Sequence, residues 1–253
     1  MFANRKLLMD IYKIILQNKK ANKKSFALLI DPDKQDKTQL LTIIEKAEKA
    51  NTDYFFVGGS LLTNDSLDSC LSTLKENSDI PVILFPGNAM QINNNADGIL
   101  FLSLISGRNP DFLIGQHVKA VDELETLKLE VIPTSYLLIN GGQMTSVEYV
   151  SRTTPIPKDA FSIAKKTAVA GKYLGHQLIY ADAGSGALNP INCEMIQSLA
   201  TVDSPLIIGG GLRSISAIEM AHENGANLVV IGNRLEEDLD FLLDLKLYKE
   251  VQK

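Results

Sequence analysis

Cysteine is nearly absent from this chain: Cys70 and Cys193 are the only two, far apart and without CxxC spacing. That argues against a disulfide framework or a structural zinc site and fits a reducing cytoplasm. Histidine is also scarce, and His117, His176 and His222 form no HxH or HxxxH pair, so a histidine-based metal site is not expected. Basic residues are outnumbered, 25 against 30 acidic, for a formal net charge of −5. Without a basic excess or stripe, no nucleic-acid partner is expected. The acidity also constrains any phosphate site, which must rely on backbone amides, helix ends, a metal ion or a few local cations. No apolar run approaches the roughly 20 residues that span a bilayer. The N-terminal apolar residues are interleaved with charges and no small-residue cleavage site follows, so no secretory signal is expected. A nucleophile elbow is missing too, since Gly184-Ser-Gly186 lacks GxSxG spacing.

The chain does contain a regular alternation. Short apolar runs at Phe26–Ile30, Tyr54–Val57, Val82–Phe85, Gly98–Phe101, Val131–Leu138, Gln177–Tyr180, Leu206–Ile208 and Leu228–Ile231 read as strands. Helical patterns lie between them, near 38–50, 64–77, 110–126, 159–174, 190–200, 214–224 and 234–248. Such alternation implies a parallel sheet with right-handed crossovers. Eight strands in 253 residues, with no linker, imply an α/β fold of one domain, a single (β/α)8 TIM barrel over 1–253. A doubly wound open sheet is the fallback.

Residues 5–18 carry Leu7, Leu8, Ile11, Ile14, Ile15 and Leu16 at helical spacing, with Arg5, Lys6 and Lys13 opposite. We read the 1–24 segment as a helix closing the barrel bottom rather than an amphipathic helix resting on a membrane. Two connections are irregular. Pro86–Asp97, between the third and fourth strands, holds about a dozen residues, including Asn93-Asn-Asn95. That is barely enough for a crossover, so the third outer helix should be shortened or missing, leaving a gap for a neighbouring subunit or a long apolar ligand. Asn140–Lys158 is long, polar and broken by Gly141, Gly142, Pro155 and Pro157, and reads as a lid over the barrel mouth with a short helix inside.

The last three strands each end in a glycine-rich turn: Tyr180-Ala-Asp-Ala-Gly-Ser-Gly186, Gly209-Gly-Gly211 and Gly232-Asn233. Glycine lets backbone N–H groups approach an anion, and successive turns after the seventh and eighth strands mark the phosphate site of many barrels. Ser214 is placed to cap the following helix. Ser185 can donate to a phosphate oxygen. Asp182 would be repelled by phosphate, so it should face a neutral hydroxyl as acceptor or general base, unless it is only a capping residue. At the end of the first strand, Asp31-Pro-Asp-Lys34 offers hard oxygen ligands for Mg²⁺, or alternatively an Asp-Pro turn before a helix. Val57-Gly-Gly-Ser60 brings backbone to the mouth, and Ser60 could ligate metal or phosphate. Arg108, Lys119, Arg152 and Arg213 read as surface cations.

Together these motifs resemble the geranylgeranylglyceryl phosphate synthase family, including its bacterial PcrB-like members, from about residue 25 to 235. The resemblance implies a modified TIM barrel without an ordinary third helix. It implies prenyl transfer from an isoprenoid diphosphate to the C3 hydroxyl of sn-glycerol 1-phosphate, with release of diphosphate and dependence on Mg²⁺. Carried over by position, Asp31 and Ser60 would ligate the metal. Tyr180, Ala181, Asp182, Ala183, Gly184, Ser185, Gly186, Gly210, Gly211, Gly232 and Asn233 would bind glycerol phosphate, with Asp182 and Tyr180 catalytic. Asp182 stands where many relatives have Glu, so it is either the base or only the hydroxyl anchor. Phe112 lies where relatives carry a bulky residue that stops the tail, which points to a C20 donor. The resemblance also implies a homodimer or homohexamer, with peripheral membrane contact compatible. Two rivals stand beside it: a sugar-phosphate isomerase or epimerase using Asp31 and Asp182, and a non-catalytic phosphate-binding protein.

Overall fold

A computed structural model describes residues 10–59, 66–88 and 91–251. Eight parallel strands close into a barrel in sequential order: β1 (Ser25–Ile30), β2 (Tyr54–Val57), β3 (Val82–Leu84), β4 (Gly98–Ser103), β5 (Glu130–Leu138), β6 (Leu178–Asp182), β7 (Leu206–Gly209) and β8 (Leu228–Ile231). Closure is direct, since Ser25 pairs with Leu228 and Leu28 with Ile231. The strands are nearly continuous apolar runs because both faces are covered. Successive residues alternate between two layers. Ala27, Tyr54, Phe56, Ile83, Leu100 and Val230 fill the barrel, while Leu28, Phe55, Val57, Leu84 and Val229 pack against the helices.

The helices are α1 (Ile11–Lys20), α2 (Lys37–Lys49), α3 (Leu67–Asn77), α4 (Gln116–Leu124), α5 (Ser146–Ser151), α6 (Phe161–Tyr173), α7 (Cys193–Ala200), α8 (Ile215–Glu223), α9 (Asn233–Glu237) and α10 (Phe241–Val251). Their starts carry local signals. Asp36 and Gln39 form a capping box on α2, and Asn192 and Ser214 cap α7 and α8 through the amides of Met195 and Ala217. From α1, Ile11 and Ile15 join the cluster inside the barrel, and the Glu130 carboxylate accepts from the amides of Ile11 and Tyr12 at the helix start. Residues 1–9 lie outside the described residues, with Leu7, Leu8, Arg5 and Lys6.

Two expected helices are interrupted. The 110–126 pattern opens with a π-helical turn, Asp111–Gly115, before α4. The 234–248 pattern is split at Asp238–Asp240, where Arg234 bonds Asp238 at 2.8 Å and the Asp240 amide bonds the Asp238 carboxylate at 2.9 Å. Among the described residues of 85–97 there is no helix. Polar side chains hold that link instead. Buried Gln91 accepts from the Gly87 amide at 2.9 Å and donates to the Gly59 carbonyl at 3.1 Å. Asn93 and Asn95 both bond Asp68, and Asp97 pairs with Lys75 at 2.7 Å.

Candidate active site

At the C-terminal mouth the turns after β6, β7 and β8 meet around a cavity of about 820 Å³. Gly184, Gly186, Gly210 and Gly211 all have positive φ, between 70° and 89°. Crowding dictates glycine at two positions in particular. A Cβ on Gly210 would lie 2.7 Å from both Asp182 Oδ1 and the Gly184 nitrogen, and one on Gly209 would lie 2.5 Å from the Tyr180 hydroxyl. The turns are also tied together, since Ser185 Oγ and the Gly186 amide both approach Asn233 Oδ1, at 3.3 and 3.4 Å.

Of the residues expected to hold glycerol phosphate, Tyr180, Asp182, Ser185, Gly186, Gly210, Gly211, Gly232 and Asn233 line this cavity. Three do not. Ala181 and Ala183 turn into the outer core layer, and the Gly184 amide is engaged by Asp182 at 2.8 Å. Arg213 and Arg234, the first of which reads as a surface cation in the sequence, join the lining and supply positive charge to an acidic protein. Arg234 is shared with Asp238 and rests over the Phe241 ring.

β6 runs through Asp182, so this carboxylate is fixed by strand pairing to Leu138 and Gly209 rather than carried on a loop. It is buried and accepts from two donors, the Tyr136 hydroxyl at 2.5 Å and the Gly184 amide. Burial raises its pKa above the ordinary aspartate value, against the lowering effect of both hydrogen bonds. Burial and the nearby Asp182 charge push the hydroxyls of Tyr136 and Tyr180 well up, so both remain protonated donors. Tyr136 carries no mark of its own in the sequence, because it sits inside a long apolar strand. Its only signal is register: it pairs directly with Tyr180, and the inward face of β5 carries it beside Asp182.

On the same cavity, Asp31 directly follows β1, with a quarter of its side chain exposed. Oδ1 accepts from the Asp33 amide at 3.2 Å, and Lys34 stands 3.6 Å from Oδ2. Asp33 accepts from Ser66 at 2.7 Å. Ser60 lies outside the described residues. No cluster of three or more metal-ligating side chains occurs among the described residues. The donor set nonetheless fits Mg²⁺, which takes one or two carboxylates and completes its shell with water and substrate phosphates.

A second cavity of about 820 Å³ opens beside the first, over the 85–97 link. Its walls are apolar: Phe85, Ile92, Ile99, Phe101, Leu104, Phe112 and Ala120 among others. His117, which has no histidine partner in the sequence, also lines it. His117 Nε2 lies 3.1 Å from Ser103 Oγ, its ring meets Phe101 edge-on at 4.4 Å, and burial lowers its pKa. The Asn140–Lys158 segment contains the expected short helix and forms one wall of the cavity. α5 supplies Val147, Val150 and Ser151 to the cavity, and the segment is pinned by an Ile139–Ile156 bridge and the Asn109–Ser151 hydrogen bond at 2.8 Å. The two cavities share Gly59, Phe85, Tyr136 and Val147, so a polar and an apolar compartment meet beside Asp182.

Comparisons with known proteins agree with this geometry. A family model described as the PcrB family matches residues 18–251. The geranylgeranylglyceryl phosphate synthase of Chitinophaga pinensis is 44% identical over 236 residues, covering 93% of this chain and 94% of that protein. That of Zunongwangia profunda is 47% identical over 227 residues, covering 89% and 97%. The crystal structure of (S)-3-O-geranylgeranylglyceryl phosphate synthase from Thermoplasma acidophilum, in complex with its substrate sn-glycerol-1-phosphate, superposes with a TM-score of 0.90. It is 32% identical in sequence, with 96% of this chain and 98% of that one covered.

Proposed function

The chain belongs to the PcrB family, and on that premise we propose that it joins an isoprenoid diphosphate, of geranylgeranyl length, to the C3 hydroxyl of sn-glycerol 1-phosphate. One observation carries the reading: a polar cavity and an apolar cavity meet beside a buried carboxylate. A sugar-phosphate isomerase would use the first cavity and have no need of the second.

The chain's own residues divide the work. Glycine-rich turns after β6, β7 and β8 grip the phosphate with amides, helped by Ser185, Asn233 and the two arginines. Asp182 accepts the hydrogen bond of the C3 hydroxyl and takes its proton as the ether forms. A raised pKa makes it a stronger base than an exposed aspartate, while the bonds from Tyr136 and Gly184 fix its direction. The apolar cavity binds the tail and keeps water from the allylic carbon, so positioning and exclusion carry much of the rate. Asp31, with Ser60, would hold Mg²⁺, which when bound neutralises the departing diphosphate. Phe112 in the tail cavity supports a limit near C20.

Incubation with sn-glycerol 1-phosphate, Mg²⁺ and a C10 to C35 panel of isoprenoid diphosphates tests the reading by product mass. A prenylglyceryl phosphate, formed best from the C20 donor, is expected. Absence of any ether product removes the proposal. Among the described residues no helix is long and apolar enough to cross a membrane. We place the reaction in the cytoplasm, with peripheral contact to the membrane that stores such lipids. The exposed Ile114, Val118 and Val121 on one face around α4 favour self-association, at least as a homodimer and by family resemblance as a hexamer.

A further inference from the structure

We propose that the rings of Phe85 and Tyr136 form a cation-stabilising collar around the carbon at which the prenyl ether is made. The inference rests on the prenyl-transfer reading and gives these two rings a role that reading does not assign. Among the described residues four line both cavities, and two of them, Phe85 and Tyr136, are aromatic. The reacting carbon must lie at that junction, because its diphosphate and acceptor belong to the polar side and its tail to the apolar side.

The chemistry at this point is fixed by bond accounting. The C1–O bond to diphosphate breaks and its electron pair leaves with diphosphate, so positive charge develops on the allylic C1–C3 unit. A lone pair of the glycerol C3 oxygen then forms the new C–O bond, and the hydroxyl proton passes to Asp182. Between those events the allylic unit is cationic and shielded from water by carbon walls. The negative faces of aromatic rings attract such a charge most strongly where it is desolvated.

Both rings are held in place. Phe85 stacks on Tyr180 with centroids 5.1 Å apart and an 18° relation to Phe56 at 6.4 Å, and its amide is bonded to the Val57 carbonyl at 2.8 Å. Tyr136 leans against Phe85 at 6.1 Å and 57°, so the two rings present inclined surfaces. Its hydroxyl donates to Asp182, which enriches the ring in electrons. Phe85 makes no such bond, so its contribution can be tested without disturbing the base.

The experiment places mono-, di- and trifluorophenylalanine at position 85 alone, beside Phe85→Leu, and measures ether formation by each. Fluorine drains charge from the ring face while nearly preserving its shape. The expected result is a stepwise fall of kcat along the series with KM for both substrates within about twofold. Phe85→Leu should lower kcat about 30-fold, or about 2 kcal/mol at 1.36 kcal/mol per tenfold. A flat kcat across the fluorinated series, with Phe85→Leu changing only KM, would overturn the collar. Should Phe85→Leu fail to fold, the near-isosteric series still decides. A wild-type protein that makes no ether defeats the prenyl-transfer reading itself, whereas an active wild type with a flat series defeats the collar alone.

Discussion

Asp182 combines the demands of folding and chemistry in one side chain. Its folded pKa is raised, so the stability it contributes is complete below the unfolded value, about 3.9, and is lost as pH rises through the folded value. Asp182→Asn removes that burden, and Asn can still meet the Gly184 amide and the Tyr136 hydroxyl. The variant should therefore melt at or above the wild-type temperature at pH 7, with the advantage vanishing towards pH 4. Its turnover should fall at least about 100-fold, the usual scale for a lost general base. Tyr136→Phe takes away a bond that lowers the Asp182 pKa, so the acidic limb of the kcat–pH profile should move to higher pH while the protein stays folded. An unmoved limb would show that Tyr136 does not tune the base. Asp182 was legible in sequence because it stands in a glycine-rich segment at a strand end. Tyr136, Phe85 and Arg234 were not, since an aromatic in an apolar run and a cation after a turn carry no mark of their own. Only strand register and the ring of turns bring them to the site.

Elements show the same division. Alternating apolar runs and helical patterns located all eight strands within a few residues, because a strand covered on both faces is uniformly apolar. Turn chemistry was equally readable: Ser214 caps α8 through the Ala217 amide. What escaped were features set by tertiary fit. The π turn before α4 has Gly115 packed so tightly that a Cβ would meet Asp111 Oδ1 at 2.5 Å. The split between α9 and α10 depends on where Asp238 finds Arg234. The link after β3 relies on Gln91, whose amide group joins Gly87 to Gly59. Gln91→Ala would leave a half-buried donor and acceptor without this partner, at a cost of about 1 kcal/mol. Because that clamp borders both the apolar cavity and the Gly58–Gly59 turn, KM for the isoprenoid diphosphate should rise as well. Denaturant unfolding and steady-state kinetics on one preparation check both effects, and unchanged values of either would refute the clamp.

For the whole molecule, closure of the barrel is reinforced on the outside by His222. It bonds the Ser25 carbonyl at 3.0 Å and the Tyr248 hydroxyl at 2.9 Å, linking α8, β1 and α10. Burial holds its pKa down at about 4. A depressed histidine stabilises fully above its unfolded pKa of about 6.5 and loses that contribution as pH falls to about 4, on the order of 3 kcal/mol. His222→Gln keeps a donor and an acceptor without titrating, so the variant's stability should be flatter than wild type across that interval in pH-dependent melting. The barrel itself could be inferred from sequence, but the meeting of two cavities is a property of the closed fold alone. The account stands or falls on where the phosphate binds. A crystal structure with sn-glycerol 1-phosphate should show its phosphate against the Gly210–Gly211 and Gly232–Asn233 turns, with the C3 hydroxyl on Asp182. Phosphate bound elsewhere, with those turns empty, would contradict it.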